Sequence, residues 1–532
     1  MTSSPGEHGV WRSWPVLVLL FFVPAAAWAV ANPLFSVPDE PSHVTKAVSI
    51  WYGDLSGKVT QPGTGVRTYR LPAFWAPHDP CFARQIDTGP ASCPPVLSGS
   101  HRVVDVSTPS GAYPPLYFAL VGWPGRLFPR AFGVYLMRLV SALLCAVFLA
   151  AAVRALLRVL RPGLAVAGVL VAVTPMTWFL AGSVNPSGFE IATAIALWAH
   201  VLAVARRSEL DVAGVPTSLL VGLFVSGSAM ALTRPLSGPF AAAIVILALL
   251  STGWPTLVAM ARQRRLQITF VGLAVVCVAA VGMVYATGIA TKVVGGSPFP
   301  AGADHWTVIL GTTPTYVSQM IGTFGWLDTP TSNLTLYVWL GLVFALMAGA
   351  VMLSRWRHNI GLALTVAATI LIPLFLQAPL TGSTSLVWQG RYTLPIAAGI
   401  PLLAILSLDR GAGLVAGLTR RLSVAVAATV AVLNTHALYW DLHRYTVGLD
   451  SRSLNILLGA WQPPGGSVLW LAAMAGAGVL GVAIVATAPL GSPLDELDDL
   501  EDGRAGGDQG STSTSAAATV AAVGGVSTFG AG

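Results

Sequence analysis

The chain has 532 residues, of which 54% are hydrophobic and only 10% are charged, and its mean hydropathy is +0.71. Soluble globular domains carry roughly 25% charged residues, so this composition excludes an ordinary soluble protein and predicts a polytopic membrane protein. The net charge of +7 comes mostly from arginine and includes no dense basic run. The charge therefore indicates membrane topology, and we expect no nucleic-acid partner.

The N-terminal part divides into two regions. Residues 1–31 are a predicted cytoplasmic N-terminus with the first transmembrane helix at residues 14–31, and residues 32–131 are a predicted long outer loop. Within the loop, Pro41 to Leu55 has the apolar spacing of an amphipathic interfacial helix. The apolar segment that ends at Leu127 is too short to span and predicts a re-entrant piece. Cys81 and Cys93 lie in this loop, either as a disulfide or as free thiols.

The remaining chain begins with a predicted multi-span domain, residues 132–489. Residues 490–532 are a predicted disordered cytoplasmic tail, because this segment is rich in Gly, Ser, Thr and Ala. Apolar runs predict about twelve transmembrane helices in an all-α fold. The spans after the first are expected at about 132–153, 163–182, 188–205, 213–231, 236–252, 268–290, 332–354, 360–380, 392–408, 422–440 and 467–489.

Arginines concentrate in alternate short loops between these spans. The positive-inside rule assigns those loops, and both termini, to the cytoplasm and therefore turns Asp39 outward. The arginines on the predicted cytoplasmic side are Arg12, Arg154, Arg158, Arg161, Arg206, Arg207, Arg262, Arg264, Arg265, Arg355, Arg357, Arg410, Arg420 and Arg421.

Asp39 and Glu40 directly follow the first span. A carboxylate beside a low-dielectric wall suits proton abstraction from a hydroxyl, so either residue is a candidate general base. The alternative is a solvated turn, since Pro-Asp-Glu-Pro is good turn chemistry. His43 follows Asp39 by four residues and is expected in the first turn of the next helix, where it assists catalysis, binds phosphate or packs.

Two isolated arginines lie on the predicted outer side. Arg234 falls between two spans, and Arg391 begins another, flanked by Gln389 and Tyr392. A guanidinium grips phosphate in a bidentate manner, which makes both arginines candidate substrate contacts. The alternative is snorkelling to lipid headgroups. Gly390 leaves room for close approach beside Arg391.

A third candidate group is Trp326 and Asp328, which are expected either to bind sugar hydroxyls or to stabilise a turn. Asp39, Glu40 and Asp328 together offer hard oxygen ligands for a divalent cation, Mg²⁺ or Mn²⁺. The chain has no phosphate-binding glycine loop followed by Lys and Ser or Thr, which disfavours an ATP-driven pump. Charged residues are also nearly absent from the predicted spans, which disfavours an ion-coupled transporter.

Six motifs occur in a fixed order over about residues 30–400. They are Pro38–His43, Tyr113–Tyr117, Asn185-Pro186, Arg234-Pro235, Gly325–Asp328 and Gln389–Tyr392. The ordered set resembles a bacterial family of predicted polytopic membrane proteins of unknown function, which is itself similar to the GT-C glycosyltransferases. The family commonly has Asn-Pro-Asp where this chain has Asn185-Pro186-Ser187, and often Lys in place of Arg234.

The resemblance implies a GT-C-like membrane fold and a specific reaction. A sugar would pass from a polyprenyl-phosphate donor to the hydroxyl of a glycan or lipid acceptor, on the outer face of the bacterial inner membrane, in cell-envelope glycan assembly. Asp39 or Glu40 would be the base, while Arg234 and Arg391 would contact the donor phosphate. Two other functions stay open, a glycolipid flippase and a non-catalytic protein of envelope assembly.

Overall fold

The fold is described from a computed structural model that covers residues 13–76, 78–83, 88–92, 97, 100–210, 214–287, 297–298, 305–377, 385–410 and 416–490. Its helices are α1 (Trp14–Ala31), α2 (Glu40–Trp51), α3 (Leu116–Val121), α4 (Trp123–Leu127), α5 (Ala131–Leu156), α6 (Pro162–Ala172), α7 (Pro175–Ala181), α8 (Pro186–Glu209), α9 (Thr217–Ala231), α10 (Ser237–Leu249), α11 (Trp254–Arg262), α12 (Arg264–Thr287), α13 (His305–Gly311), α14 (Thr313–Gly322), α15 (Asn333–Leu353), α16 (Ile360–Gln377), α17 (Leu394–Ala397), α18 (Gly399–Arg410), α19 (Ala416–Thr446) and α20 (Ser467–Thr487). The strands are β1 (Lys58–Val59), β2 (Arg67–Pro72), β3 (Val103–Thr108), β4 (Ser297–Pro298), β5 (Thr323–Phe324), β6 (Thr329–Pro330) and β7 (Ser385–Leu386).

Membrane-length helices dominate the described part of the chain. Eight helices there are long and apolar enough to cross a membrane, or nine if the bent pair α6 and α7 is one span. The expected all-α polytopic fold is confirmed, but the count of twelve is not. Helices α9 and α10 have only 15 and 13 residues, and at about 1.5 Å per residue neither reaches the ~30 Å of a bilayer core alone.

The predicted span at 163–182 is broken in the middle. Helices α6 and α7 meet at an angle of 71°. Pro175 starts α7 without an N–H to continue the helix, and the Thr174 side chain caps the new N-terminus by accepting from the backbone of Thr177. The Thr174 hydroxyl also donates to the Met320 carbonyl at 2.8 Å, which joins the break to α14.

The loop after α1 folds into a small cap. Strands β1, β2 and β3 form an antiparallel sheet in that order, and α2 packs against β3, α3 and α4. The predicted amphipathic helix exists, but it ends at Trp51, which is 46% exposed. Its buried face includes His43 and Lys46 as well as the apolar positions, so the helix is enclosed by protein on that face. The predicted re-entrant segment forms the two short helices α3 and α4.

Helix α8 lies at the centre of the bundle, where its apolar window is entirely buried against α5, α9 and α10. The residues of the motifs gather at the end of the bundle where α1 finishes and α8 begins. Several basic residues that predict a cytoplasmic side lie at the opposite helix ends, including Arg154 in the last turn of α5 and Arg410 at the end of α18. Arg12, Cys93 and the tail beyond residue 490 lie outside the described residues.

Candidate functional site

Residues 32–39, here called the connector, join α1 to α2 and end at Asp39, and Glu40 is the first residue of α2. Asp39 has a φ of +66°, a left-handed conformation that a non-glycine residue seldom adopts. It precedes the first turn of α2 without capping it through its side chain. The Asp39 side chain is 51% exposed, whereas Glu40, the next residue, is completely buried. The backbone turn therefore places one of two adjacent carboxylates at the surface and the other in the protein interior.

Glu40 is one half of a buried ion pair with Arg138 of α5. Arg138 donates to the carboxylate through Nε at 2.8 Å and Nη2 at 2.5 Å. Its three remaining N–H groups reach the carbonyls of Ala29, Asn32 and Pro33 at 3.0 Å. All five guanidinium donors are thus used, and they fix the connector against α5.

The Glu40 carboxylate is equally well satisfied. Besides Arg138, it accepts the backbone N–H groups of Phe35 at 3.1 Å and Val184 at 2.9 Å. Val184 lies just before α8, and the side chain of Asn185 donates to the Pro38 carbonyl at 3.1 Å. Glu40 therefore ties α5, the start of α8 and the connector together.

Asp39 contacts a different arginine. Arg391 donates from Nη2 to Asp39 Oδ2 at 2.7 Å. Burial alone would raise the pKa of the Asp39 carboxyl, but the charges of Arg391 and, to a lesser extent, Arg234 outweigh burial and hold that pKa below its ordinary value. Asp39 is consequently an ionised carboxylate at neutral pH.

The guanidinium of Arg391 has unused donors. The side chain is 3% exposed, yet its Nε and Nη1 atoms have no hydrogen-bond partner among the described residues. The only other contact of its donors in that part of the chain is a long one of 3.4 Å to the Tyr392 hydroxyl. A buried guanidinium rarely leaves donors unpaired, so this group is suited to an anionic ligand.

Arg234 lies nearby in a second buried ion pair. It donates to Glu190 at 2.9 Å, and Ser237 donates to the other carboxylate oxygen at 2.5 Å. The guanidinium also stacks over the ring of Tyr392, 4.5 Å from its centre. The side chain is 13% exposed, so Arg234 is held by protein groups and does not reach outward as a snorkelling residue would.

His43 lies on α2 behind Asp39. Its ring packs 5.7 Å from those of Tyr113 and Phe118. Burial lowers the pKa of His43 to about 3, helped by the charges of Arg391 and Arg234 and opposed by Asp39. The imidazole is therefore neutral at physiological pH, and Nδ1 has no partner among the described residues.

The turn that carries Arg391 is tightly packed. The Gly390 N–H donates to the Gln319 side chain at 2.7 Å, and a Cβ at Gly390 would lie 2.1 Å from the carbonyl oxygen of Tyr316. Only glycine fits there, because any side chain at this position would collide with that carbonyl. The close approach expected beside Arg391 is therefore made by the backbone of α14. Gln389 begins the turn with its Oε1 buried and without a partner in the described chain.

Trp326 and Asp328 support the connector from another side. The Trp326 indole donates to the Phe35 carbonyl at 3.0 Å. Asp328 is 7% exposed and accepts from Thr329 at 3.0 Å in the β5–β6 turn. The ionisable groups that act on Asp39 are Arg391, His43 and Arg234, and Asp328 is not among them.

The predicted cation ligands do not come together. Asp39 and Glu40 pair with separate arginines, and Asp328 accepts from Thr329 in the β5–β6 turn. Within the described ranges, no three acidic, histidine or cysteine side chains are grouped to hold a metal ion. The set of Asp39, Glu40 and Asp328 therefore does not fit Mg²⁺ or Mn²⁺.

Three charged residues were missing from the sequence-based site. Arg138 lies inside α5, Asp441 lies inside α19 and Glu190 lies in the second turn of α8. The expectation that the predicted spans contain almost no charge overlooked Arg138, inside the span at 132–153, whereas Asp441 directly follows the predicted span at 422–440. The available signal was the residue type itself, because an ionisable side chain in an apolar helix is costly unless it has a partner or a function.

The fold and this site define a polytopic membrane protein with a buried, charged site at one end of its helices. The chain belongs to the family described as "Predicted membrane protein (DUF2142)", whose model matches residues 20–400, so the resemblance to that family is confirmed.

Two solved structures of ArnT from Cupriavidus metallidurans are similar to the chain. The one bound to undecaprenyl phosphate has 15% identity and a TM-score of 0.43, over 89% of this chain and 75% of that chain. The apo structure has 14% identity and a TM-score of 0.45, over 88% and 75%. No curated protein matches the chain.

Proposed function

We propose that the protein is a membrane glycosyltransferase of the GT-C type. It transfers a sugar from a polyprenyl-phosphate donor to a hydroxyl of a glycan or lipid acceptor, and it acts on the outer face of the bacterial plasma membrane in envelope glycan assembly. The observation that carries the proposal is the buried Arg391 guanidinium, which has two unpaired nitrogens beside the accessible carboxylate of Asp39.

The unpaired nitrogens of Arg391 support an anion site. Nε and Nη1 are buried N–H donors of one guanidinium, and each can donate to an oxygen of a bound anion. Arg234 adds positive charge nearby, and its own Nε also has no partner among the described residues. A phosphate diester or monoester carries the charge and the acceptor oxygens that such a site needs.

Of the two acids, Asp39 is the better base. Its side chain is half exposed and its one described ion pair is with Arg391, the proposed phosphate contact. Glu40 has no exposed surface, and four hydrogen bonds occupy its two oxygens. We therefore assign proton abstraction to Asp39 and a structural role to Glu40.

In the proposed reaction, Asp39 takes the proton of the acceptor hydroxyl as that oxygen attacks the anomeric carbon. The bond from that carbon to the donor phosphate oxygen breaks, and the lipid phosphate leaves with the electron pair. Arg391 stabilises the charge that grows on the leaving phosphate. A bound phosphate also draws part of the Arg391 charge away from Asp39, which makes Asp39 more basic when the donor is present.

The charge pattern supports an outward-facing site. The arginine-rich helix ends lie opposite the connector, and basic short loops favour the cytoplasmic side. On this basis both termini are cytoplasmic, and the connector faces the outer leaflet, where a flipped lipid-linked sugar is available. Labelling of cysteines introduced into single loops checks this orientation, which is wrong if a cysteine beside Arg206 reacts from outside.

The function is tested by transfer of labelled sugar from a panel of polyprenyl-phosphate donors to envelope acceptor fractions by purified protein in lipid. Wild type and Asp39→Asn are compared, with Asp105→Asn as a matched control, because the Asp105 side chain is 70% exposed and distant in sequence. We expect transfer by wild type and the control and at least a ~100-fold loss in Asp39→Asn. Donor translocation between leaflets without transfer, unaffected by Asp39→Asn, would instead support the flippase.

A further inference from the structure

A groove with two arginines lies at the end of the bundle opposite the connector, between the start of α19 and the residues that follow α20. Its volume is about 500 Å³, and its lining consists of Gly417, Arg420, Arg421, Val424, Ala425 and Leu490. Two of these residues are arginines and the other four are uncharged, so the groove offers positive charge beside apolar surface. None of them takes part in the proposed transfer reaction.

A smaller cleft continues from this groove. It shares Arg420 and Leu490 with the groove and is also lined by Arg161 and Ser423. Ser423 is 1% exposed, and its hydroxyl has no hydrogen-bond partner among the described residues. Buried hydroxyls are usually paired, and this one can donate to an anionic oxygen. The groove and the cleft together, here called the basic groove, therefore contain a buried donor as well as arginines.

The net charge of the basic groove is positive. Arg161 has a carboxylate partner, because its backbone N–H donates to Asp409 at 3.3 Å and its Nε lies 4.0 Å from the same oxygen. Arg420 donates through Nη2 to the carbonyl of Ala486, which is a neutral group. Arg421 is exposed and makes no ion pair within the part of the chain that the structure describes. Three arginines less one aspartate leave a net charge of +2, which favours an anionic partner.

The sequence supplies such a partner close to the groove. Residues 495–502 are Asp-Glu-Leu-Asp-Asp-Leu-Glu-Asp, so they hold six of the chain's 22 acidic residues. Leu490 lines the groove, and the acidic run begins five residues after it. Five residues span at most about 18 Å. The run, which lies outside the described residues, is therefore tethered within reach of Arg420 and Arg421.

We propose that the acidic segment, residues 495–502, binds the basic groove of its own chain. Its carboxylates pair with Arg420 and Arg421 and accept from Ser423, while its two leucines contact the apolar lining. A single exposed ion pair contributes little, but several pairs act together here, and a short tether gives an effective concentration on the order of millimolar. The headgroup of an anionic lipid has a similar charge, but it is not tethered to the groove. The inference does not depend on the proposed transfer reaction.

Cross-linking within the full-length protein tests this contact. The substitutions Gly417→Cys, at a position with open space around it, and Leu500→Cys place one thiol in the groove and one in the acidic segment. The protein is held in nanodiscs of zwitterionic lipid, a bismaleimide joins the two thiols, and mass spectrometry of the joined peptides follows the rate. The wild-type segment is compared with one in which all six acids are replaced by Asn or Gln.

Substitutions in the groove give a second, independent comparison. Arg420→Gln with Arg421→Gln removes two charges from the groove, and Arg262→Gln with Arg264→Gln, at exposed positions where α11 meets α12, is the matched control. At low ionic strength we expect the wild-type cross-link to form at least about tenfold faster than with the neutralised segment or the groove variant. The control should retain the wild-type rate. The difference should nearly vanish at about 1 M salt, where the Debye length is about 3 Å.

Three results would overturn the proposal. They are equal cross-linking rates for the acidic and the neutralised segment, equal rates for the groove variant and its control, or loss of the wild-type cross-link in nanodiscs that contain phosphatidylglycerol, an anionic lipid. The last result would assign the groove to lipid headgroups. If the groove variant does not fold, the comparison of the two segments and its salt dependence decide, because those proteins retain Arg420 and Arg421.

Discussion

The buried pair of Glu40 and Arg138 predicts that loss of charge at Glu40 destabilises the protein much more than loss of charge at the neighbouring Asp39. Glu40→Gln removes the counter-charge of Arg138 inside the bundle and weakens four hydrogen bonds. Breaking a buried ion pair in this manner costs about 3–5 kcal/mol. Asp39→Asn retains an oxygen that accepts from Arg391, and its half-exposed position limits the cost to about 1 kcal/mol.

The difference of about 2–4 kcal/mol between the variants is measurable by unfolding in mixed detergent micelles with rising SDS, followed by tryptophan fluorescence. Glu40→Gln should unfold at a clearly lower SDS fraction than Asp39→Asn. The double variant Glu40→Gln with Arg138→Gln removes both charges, and it should be less unstable than the sum of the two single changes. Sugar transfer is measured on the folded fraction of each protein.

Two results would refute this reasoning. If Glu40→Gln unfolds with wild-type stability, the buried network does not support the connector. If folded Glu40→Gln loses transfer while Asp39→Asn retains it, Glu40 is the base and our assignment is reversed.

Three further predictions concern the surroundings of Asp39. Gly390→Ala should lower kcat/KM for the donor about 10–100-fold, because the added Cβ displaces Arg391, whereas Gly476→Ala, with open space around it, should not. Arg391→Lys should retain the charge but lose the paired donors, which should weaken donor affinity about tenfold in a binding titration.

The third prediction is the pH dependence due to His43. Its pKa is about 3 in the fold, below the usual 6.5, so between these values the unfolded chain binds the proton more tightly. The stability contributed by the neutral ring is complete above about pH 6.5 and should fall with acidification, by up to about 1.4 kcal/mol per pH unit. Melting temperatures from pH 7 to 4 should show a shallower decline in His43→Phe than in wild type; His78→Phe, at an exposed position, is the control.

The sequence predicts which residues lie in the candidate site better than it predicts the role of each residue. Asp39, Arg391 and Gly390 were identified from local pattern, since each lies just outside an apolar segment and belongs to an unusual polar motif. Asp39 and Glu40 were not distinguishable, because what separates them is Arg138, a residue 98 positions after Glu40 whose contacts exist only in three dimensions. Arg234 was treated as similar to Arg391, but its Nη1 donates to Glu190, whose other carboxylate oxygen accepts from Ser237.

The prediction of helices shows the same contrast between local sequence pattern and three-dimensional contacts. The first span, residues 14–31, is predicted to the residue because apolarity alone decides it. The break between α6 and α7 could have been inferred from Pro175, but both halves are apolar, so hydropathy merges them. The enclosed face of α2 packs against β3, α3 and α4. The spacing of apolar residues along α2 does not reveal these contacts.

The connector has a consequence for the biogenesis of the protein. It is translated within the first forty residues, yet the groups that hold it come from Arg138, Val184, Trp326 and Arg391, at sequence separations of 98, 144, 291 and 352 residues. Contacts so distant along the chain form late, after the intervening helices have inserted. The left-handed turn at Asp39 is therefore the first part of the site to leave the ribosome and the last to acquire its geometry. A nascent chain interrupted before residue 391 carries Asp39 without Arg391, so this ion pair cannot form until most of the bundle has been synthesised.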